Sequence, residues 1–123
     1  MAQRASGVKQ MKVSLIVTTY NWKEALAVVL QSIIKQNTLP YEVIIADDGS
    51  REDTAALIKD YAKTFPVPLI HSWQEDDGFR LARSRNKAIA KATGDYIIII
   101  DGDILMAKDF VASHIAAAKP NFF

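Results

Sequence analysis

The hydrophobic residues of the chain follow two patterns: short apolar runs, and longer stretches in which apolar positions recur at helical spacing. The runs are rich in β-branched residues and end at polar or glycine residues, as buried strands do. They predict strands over residues 12–19, 41–46, 69–73 and 96–100. The helical stretches predict helices over residues 22–36, 50–65, 80–92 and 108–118. We expect Gly94 to end the third helix as a C′ glycine.

The order of these elements predicts four consecutive β-α units, and hence an α/β fold. Its three layers (αβα) would hold a mostly parallel sheet of about four strands between helices. The run Tyr96–Ile100 contains four consecutive isoleucines, which is typical of a strand covered on both faces. The run Leu69–Trp73 is short and is interrupted by His71 and Ser72, so we expect it at an edge of the sheet.

Composition sets limits on the kind of protein. The 123 residues, half of them apolar and 24% charged, fit one globular domain, which we place at residues 11–123 after a disordered tail over residues 1–10. A net charge of +1 gives no reason to expect a nucleic-acid partner. The absence of cysteine excludes thiolate metal sites and fits a cytoplasmic location. Whether the full-length protein lies at a membrane surface, bound through parts outside these residues, is left open.

Polar segments follow the first, second and fourth predicted strands: residues 18–21 (TTYN), 47–50 (DDGS) and 101–103 (DGD). In a parallel sheet the carboxyl ends of the strands lie at one edge, so these segments should share one rim. Asp101 and Asp103 flank a glycine and offer oxygen ligands of the kind that Mn²⁺ or Mg²⁺ prefers. Such an ion would bridge a diphosphate and stabilise its charge as a leaving group. The alternative is a pair of solvated turn acids.

The acidic segment after the second strand also has two interpretations. Asp47 and Asp48 are able to hydrogen-bond a base or a ribose. Alternatively, Asp47 is a turn residue and Ser50 caps the following helix, with Asp53 completing a capping box. For Ser50 we favour the cap.

The third predicted helix carries a cation among its apolar residues. Its basic face and its apolar face consist of Arg80, Arg83, Lys87 and Lys91, and of Leu81, Ala88, Ile89 and Ala92, respectively. Arg85 projects among the apolar set, where an unpaired charge would be destabilising. We therefore expect Arg85 to reach Asp47, Asp101 or a bound diphosphate; the alternative is that its guanidinium extends to solvent. The basic face is interpreted as solvated, with Arg80 close enough to the acidic loop to be a candidate ligand contact.

Four segments together resemble the N-terminal half of inverting glycosyltransferases of family 2, which have the GT-A fold. The segments are residues 13–21, 47–50, 78–88 and 94–103. The resemblance covers residues 12–110 and implies transfer of a sugar from a UDP-sugar to an acceptor hydroxyl, with inversion at the anomeric carbon. It further implies a role in polysaccharide or glycoconjugate biosynthesis and the use of Mn²⁺ or Mg²⁺.

The resemblance also implies roles for individual residues. Nucleotide binding falls to Thr18, Tyr20, Asp48, Arg80, Arg85 and Asp101, and metal binding to Asp101 and Asp103. Family members continue past this point into strands that bind the acceptor and supply a general base, and no residue here matches that base. We therefore expect a donor-binding portion that lacks the acceptor half.

The expected partners are a UDP-sugar and a saccharide or glycolipid acceptor. Missing strands would leave an edge of the fourth strand unpaired, so self-association through that edge is predicted. One alternative function is a nucleotide-sugar-binding module without transferase activity. A phosphoryl-transfer domain of receiver or phosphatase type is a weaker alternative. Such domains carry acidic residues at the end of the first strand, where residues 19–21 of this chain are TYN.

Overall fold

The computed structural model describes residues 11–78 and 80–118. The predicted tail, residues 1–10, lies outside the described residues. In chain order the elements are β1 Val13–Thr19, α1 Lys23–Ile34, β2 Glu42–Asp47, α2 Glu52–Ala62, β3 Leu69–Trp73, α3 Leu81–Lys91, β4 Tyr96–Asp101 and α4 Phe110–Ala117. The four predicted β-α units are therefore confirmed. Within the described ranges, no helix is both long and apolar enough to cross a bilayer.

The strands form one parallel sheet in the order β3-β2-β1-β4. β1 and β2 lie at its centre, and all of their residues are buried. The predicted edge position of β3 is confirmed. Since every strand runs in the same direction, all carboxyl ends meet at one rim.

Side chains of the central strands alternate between two apolar clusters, as the twofold period of a strand requires. Leu15 and Val17 face one cluster, with residues of α1, α2 and α4 packed around them. Ile16 and Ile44 face the other, which Ala88 of α3 covers. The helices therefore lie on both faces of the sheet, and the predicted three-layer αβα fold is confirmed.

The prediction that the four-isoleucine strand is covered on both faces is wrong. β4 is the second edge of the sheet. Ile98 and Ile100 are buried, whereas Ile97 and Ile99 are 38% and 41% exposed. The reason is that α3 packs mainly against β1, β2 and β3, so the α3 side of β4 has little cover. Isoleucine favours strands at edge and centre alike, and the run could not distinguish them.

Glu42, at the start of β2, joins several segments at the amino-terminal edge of the sheet, opposite the carboxyl ends of the strands. Its buried carboxylate accepts hydrogen bonds from Ser14 Oγ at 2.7 Å and from Thr93 N and Oγ1 at 2.7 and 3.1 Å. Burial alone would raise the pKa of this carboxyl group, but hydrogen bonds from Thr93, Ser14 and Gly94 outweigh burial, and the pKa is lowered. The network joins β1, β2 and the loop between α3 and β4.

The prediction that Gly94 is a C′ glycine is wrong. Among the described glycines, only Gly49 and Gly78 have positive φ. Gly94 is instead required by close packing, because a Cβ there would lie 2.6 Å from both the carbonyl oxygen of Lys12 and Ser14 Oγ.

Candidate functional site

The carboxyl ends of β1, β2 and β4 surround an open cavity of about 320 Å³, which we call the rim cavity. Its lining consists of Thr18, Thr19, Tyr20, Trp22, Asp48, Leu81, Asp101, Gly102 and Asp103. Five of the predicted site residues therefore border one space, although they come from three separate segments of the chain. Arg80 and Arg85 are not among the described residues that line it.

The Asp101-Gly102-Asp103 segment turns sharply at the end of β4. Thr18 Oγ1 donates a hydrogen bond to Asp101 Oδ1 at 3.3 Å, and the N–H of Ile104 donates to the Asp101 carbonyl at 3.2 Å. A Cβ at Gly102 would collide with the Thr18 carbonyl oxygen. The glycine therefore lets the turn lie directly against the end of β1, with both carboxylates beside the cavity.

The donor chemistry of this turn fits a hard divalent cation. Asp101 and Asp103 are exposed carboxylates that border the same space. Across residues 11–78 and 80–118, no group of three or more His, Cys, Asp or Glu side chains is arranged to hold a metal ion. The turn thus offers two carboxylates at most, and other ligands would have to complete a coordination shell. Mg²⁺ and Mn²⁺ are commonly bound in this way, through one or two carboxylates, substrate phosphates and water.

Asp48 is only 4% exposed, and hydrogen bonds hold its carboxylate in place. Gln74 Nε2 donates to Oδ1 at 2.7 Å, and the backbone N–H of Arg80 donates to Oδ2 at 2.8 Å. A carboxylate has about four lone-pair sites, so these bonds leave capacity for a ligand. Since an ionised carboxylate only accepts hydrogen bonds, the matching ligand group must be a donor.

The neighbouring Asp47 does not border the rim cavity but shapes the loop that does. It is fully buried, its Oδ1 accepts a hydrogen bond from the Ser50 N–H at 2.9 Å, and its Oδ2 accepts one from His71 Nε2 at 2.7 Å. The interpretation of Asp47 as a turn residue is therefore supported. Its contact with His71 was not anticipated from sequence, since it depends on the pairing of β2 with β3.

The prediction that Ser50 caps helix α2 is wrong. The N-cap residue is Arg51, and its side chain makes no capping hydrogen bond with any described residue. Ser50 Oγ instead accepts a hydrogen bond from the Asn21 N–H at 2.7 Å, and Asn21 Oδ1 accepts one from the Arg51 N–H at 2.7 Å. Asn21 has φ of +46°, a conformation that asparagine adopts more readily than most residues. This reciprocal pair joins the loops after β1 and β2.

Arg80 lies beside the acidic loop, as expected, whereas Arg85 does not reach a carboxylate in the described part of the chain. The guanidinium of Arg80 pairs with Asp77, at 3.2 Å from Nη2 to Oδ2, and it is the backbone N–H of Arg80 that contacts Asp48. Arg85 is half-buried and forms no ion pair with Asp47 or Asp101 among the described residues. The expected carboxylate pairing of Arg85 is therefore wrong.

The apolar face assigned to α3 explains this error. The buried residues of α3 are Ser84 and Ala88, whereas Ile89 is 37% exposed. Two small residues allow the helix to approach the sheet closely, which leaves Arg85 at the margin of the contact. A half-buried guanidinium remains hydrated there and needs no carboxylate partner.

Aromatic residues form the exposed wall of the rim cavity. Tyr20 and Trp22 are 50% and 55% exposed. The Tyr20 hydroxyl donates a hydrogen bond to Asp76 Oδ2 at 2.8 Å, and this bond and the negative charge of Asp76 raise the pKa of the tyrosine. Asp76 in turn lies against Gly49, where a Cβ would collide with it. The Tyr20 ring is thus fixed at its edge while part of its face stays available for stacking.

The chain is similar in sequence to a known protein family. The model of the family described as "Glycosyl transferase family 2" matches residues 14–122. An uncharacterized glycosyltransferase, YfnE of Bacillus subtilis, is 40% identical over 108 residues, covering 87% of this chain and 27% of that protein.

Solved structures of glycosyltransferases have a similar fold. The mannosyltransferase PcManGT from Pyrobaculum calidifontis, in complex with GDP-Man and Mn²⁺, has a TM-score of 0.78 and 30% identity, over 91% of this chain and 34% of that one. TarS of S. aureus, residues 1–349 in complex with UDP-GlcNAc, has a TM-score of 0.75 and 29% identity, over 86% and 30%.

The chain thus spans about a third or less of the length of these proteins. The GT-A fold implied by the resemblance is confirmed by these structures. Because the family model covers most of the chain, the chain belongs to glycosyl transferase family 2.

Proposed function

We propose that the rim cavity binds the nucleoside diphosphate of a UDP-sugar, and that the whole protein transfers the sugar to an acceptor hydroxyl with inversion at the anomeric carbon. The observation that carries the proposal is the meeting of three kinds of group in one cavity. They are an exposed aromatic face on Tyr20, a fixed acceptor carboxylate on Asp48, and paired carboxylates on Asp101 and Asp103.

The nucleoside part of the proposal rests on hydrogen-bond polarity. Asp48 presents only acceptor sites, and the imide N–H of uracil is a donor of the right kind. The Tyr20 ring is available to stack on the base, and Thr18 lines the same cavity beside Asp101, to which its hydroxyl donates a hydrogen bond. TarS, to which the chain is similar, was solved with UDP-GlcNAc.

The metal part rests on charge. A diphosphate placed beside Asp101 and Asp103 would be repelled by both carboxylates unless a cation lay between them. We propose that Asp103, with Asp101 directly or through water, holds Mn²⁺ or Mg²⁺. When bound, such an ion neutralises charge on the departing diphosphate. Arg80 and Arg85 are proposed to add positive charge near the base and diphosphate. The similar PcManGT was solved with Mn²⁺ and a nucleotide sugar.

This chain's own residues bind and orient the donor in this scheme. Asp48 and Tyr20 fix the nucleoside, and the Asp101 turn fixes the diphosphate end, so that the anomeric carbon points out of the cavity. Inversion requires a base on the face opposite the leaving group, and none of the described residues is assigned that role. The acceptor, a saccharide or glycolipid, is part of the proposal for the whole protein.

The test is thermal unfolding with UDP, with and without Mn²⁺, on wild type and on Asp103→Asn. Free ligand at 100 times its dissociation constant should stabilise the wild type by about 2.7 kcal/mol. The variant should lose the Mn²⁺-dependent part of this gain. Asp60→Asn is the matched control, because Asp60 lies on α2 outside the rim cavity and its pair with Lys63 is exposed.

A wild type that gains no Mn²⁺-dependent stability from UDP would contradict the proposal. Transfer itself is tested on the whole protein by measuring UDP release from a panel of UDP-sugars. Binding without any turnover across donors and acceptors would instead support a nucleotide-sugar-binding module.

A further inference from the structure

Gln74 is the residue through which three loops of the rim are joined. It follows β3 and is 4% exposed. Its backbone N–H donates to the Asp47 carbonyl at 3.1 Å. Its side-chain Nε2 donates to Asp48 Oδ1 at 2.7 Å and to the Arg80 carbonyl at 3.2 Å. A single buried amide therefore contacts the loop after β2 and the start of α3.

The orientation of this amide is fixed by its partners. Both atoms near Nε2 are acceptors, so a rotated amide would place Oε1 against the Asp48 carboxylate. In the adopted orientation, Gln74 Oε1 is buried and has no hydrogen-bond partner among the described residues. A buried acceptor without a partner is costly. The amide keeps this arrangement because its alternative would replace a short bond to a carboxylate by repulsion.

The contacts of Gln74 close a ring with Asp48 and Arg80. Asp48 accepts from the Arg80 N–H on Oδ2 and from Gln74 on Oδ1, and Gln74 also donates to the Arg80 carbonyl. Both carboxylate oxygens are therefore held by groups outside the loop that carries Asp48. Rotation of the carboxylate would break both of these bonds.

We propose that Gln74 is a positioning residue for donor binding. It holds the Asp48 carboxylate in the orientation in which Asp48 contacts the nucleoside. This inference rests on the proposed function of the rim cavity. Gln74 itself is not among the described residues that line the cavity, so it acts through Asp48. A group that is fixed before the ligand arrives need not be ordered on binding, and this raises affinity.

The test variant is Gln74→Met, which keeps the length of the side chain and removes its donor. Ser84→Ala is the matched control, because Ser84 is also buried on the α3 side, but its hydroxyl has no hydrogen-bond partner in the described part of the chain. The dissociation constant of UDP with Mn²⁺ is measured by titration well below the unfolding temperature of every variant. Hydrogen exchange of the Arg80 amide reports on Asp48 directly.

Gln74→Met should raise the dissociation constant about two- to tenfold, because the Asp48 carboxylate would then have to be ordered when the ligand binds. The Arg80 amide should exchange faster, because its acceptor is no longer held. Ser84→Ala should change neither quantity. A purely structural role would lower the unfolding temperature and leave the affinity of the folded protein unchanged.

Three outcomes overturn parts of this scheme separately. If wild type binds UDP and Gln74→Met binds it equally well, the positioning role is wrong while the proposed function stands. If the affinity falls but Arg80 exchange is unchanged, Gln74 does not act through Asp48. If wild type binds no UDP, the proposed function fails and the positioning role fails with it.

Discussion

The Glu42 network allows a pH-dependent stability to be predicted from individual hydrogen bonds. In Glu42→Gln the shape of the side chain is kept and its charge is removed. The oxygen of the new amide can take the position of Oε2, which accepts from Ser14 Oγ and Thr93 N, both at 2.7 Å. Its nitrogen then lies where Oε1 accepts from Thr93 Oγ1 at 3.1 Å, a hydroxyl that can rotate to accept instead. The number of hydrogen bonds is therefore preserved.

What the substitution removes is the charge on two short hydrogen bonds. Bonds to an ionised acceptor are roughly twice as strong as neutral ones, which is a loss of about 0.5–1 kcal/mol for each. The neutral amide is easier to bury, and this offsets part of the loss. We expect Glu42→Gln to lower the free energy of unfolding by about 1 kcal/mol at pH 7. Glu42→Ala, which leaves the Thr93 N–H without its acceptor, should lower it by about 3 kcal/mol.

The sign of the pH dependence follows from the lowered pKa of Glu42. The carboxyl group has a lower pKa in the folded state than its ordinary value of 4.5, so its ionised form stabilises the fold above that value. This contribution is lost as the pH falls through the folded-state pKa. The stability difference between wild type and Glu42→Gln should thus be constant near neutrality and shrink below pH 4.5.

Urea unfolding of both proteins across this pH range measures the difference, and carboxylates common to both cancel. Glu75→Gln, a change at an exposed residue in the loop after β3, is the control and should show no such convergence. A difference that stays constant or widens in acid would refute the reasoning.

Two further predictions concern the rim turn and the free sheet edge. Gly102→Ala should displace the turn from the Thr18 carbonyl, lower the free energy of unfolding by about 1–3 kcal/mol and weaken UDP binding with Mn²⁺. Urea unfolding and ligand titration measure these two effects. Unchanged stability and unchanged affinity would show that the close contact does not require glycine. Self-association through β4 should appear as a concentration-dependent mass in sedimentation. The double substitution Ile97→Thr with Ile99→Thr should weaken it, whereas Ile104→Thr, at an exposed isoleucine outside the strand, should not. A strictly monomeric wild type at high concentration would contradict this prediction.

The positions of the predicted site residues show what local pattern can determine. Thr18, Asp48 and Asp103 each follow an apolar run, and runs of this kind alternate with helical stretches. Parallel strands then bring their carboxyl ends to one edge without any knowledge of strand order. The fold class and the meeting of these residues at one cavity could therefore be predicted from the sequence, as the structure confirms.

Hydrogen-bond partners could not be predicted in this way, because they join segments far apart in the chain. Ser50 has the sequence context of a helix cap, yet its hydroxyl accepts from Asn21, 29 residues away. Asp48 is held by Gln74 and by the backbone of Arg80, which depends on how the loop after β3 folds over β2.

The sequence by itself determined the order of strands and helices and the rim at which polar residues gather, because both follow from the period of local apolar positions. Only the tertiary structure decided that Ile97 and Ile99 of β4 are exposed, and that Arg85 lies at the margin of α3. The physical reason is that burial and pairing are properties of neighbours in space. A side chain's own identity fixes what it can contact, and the packing of distant elements fixes what it does contact.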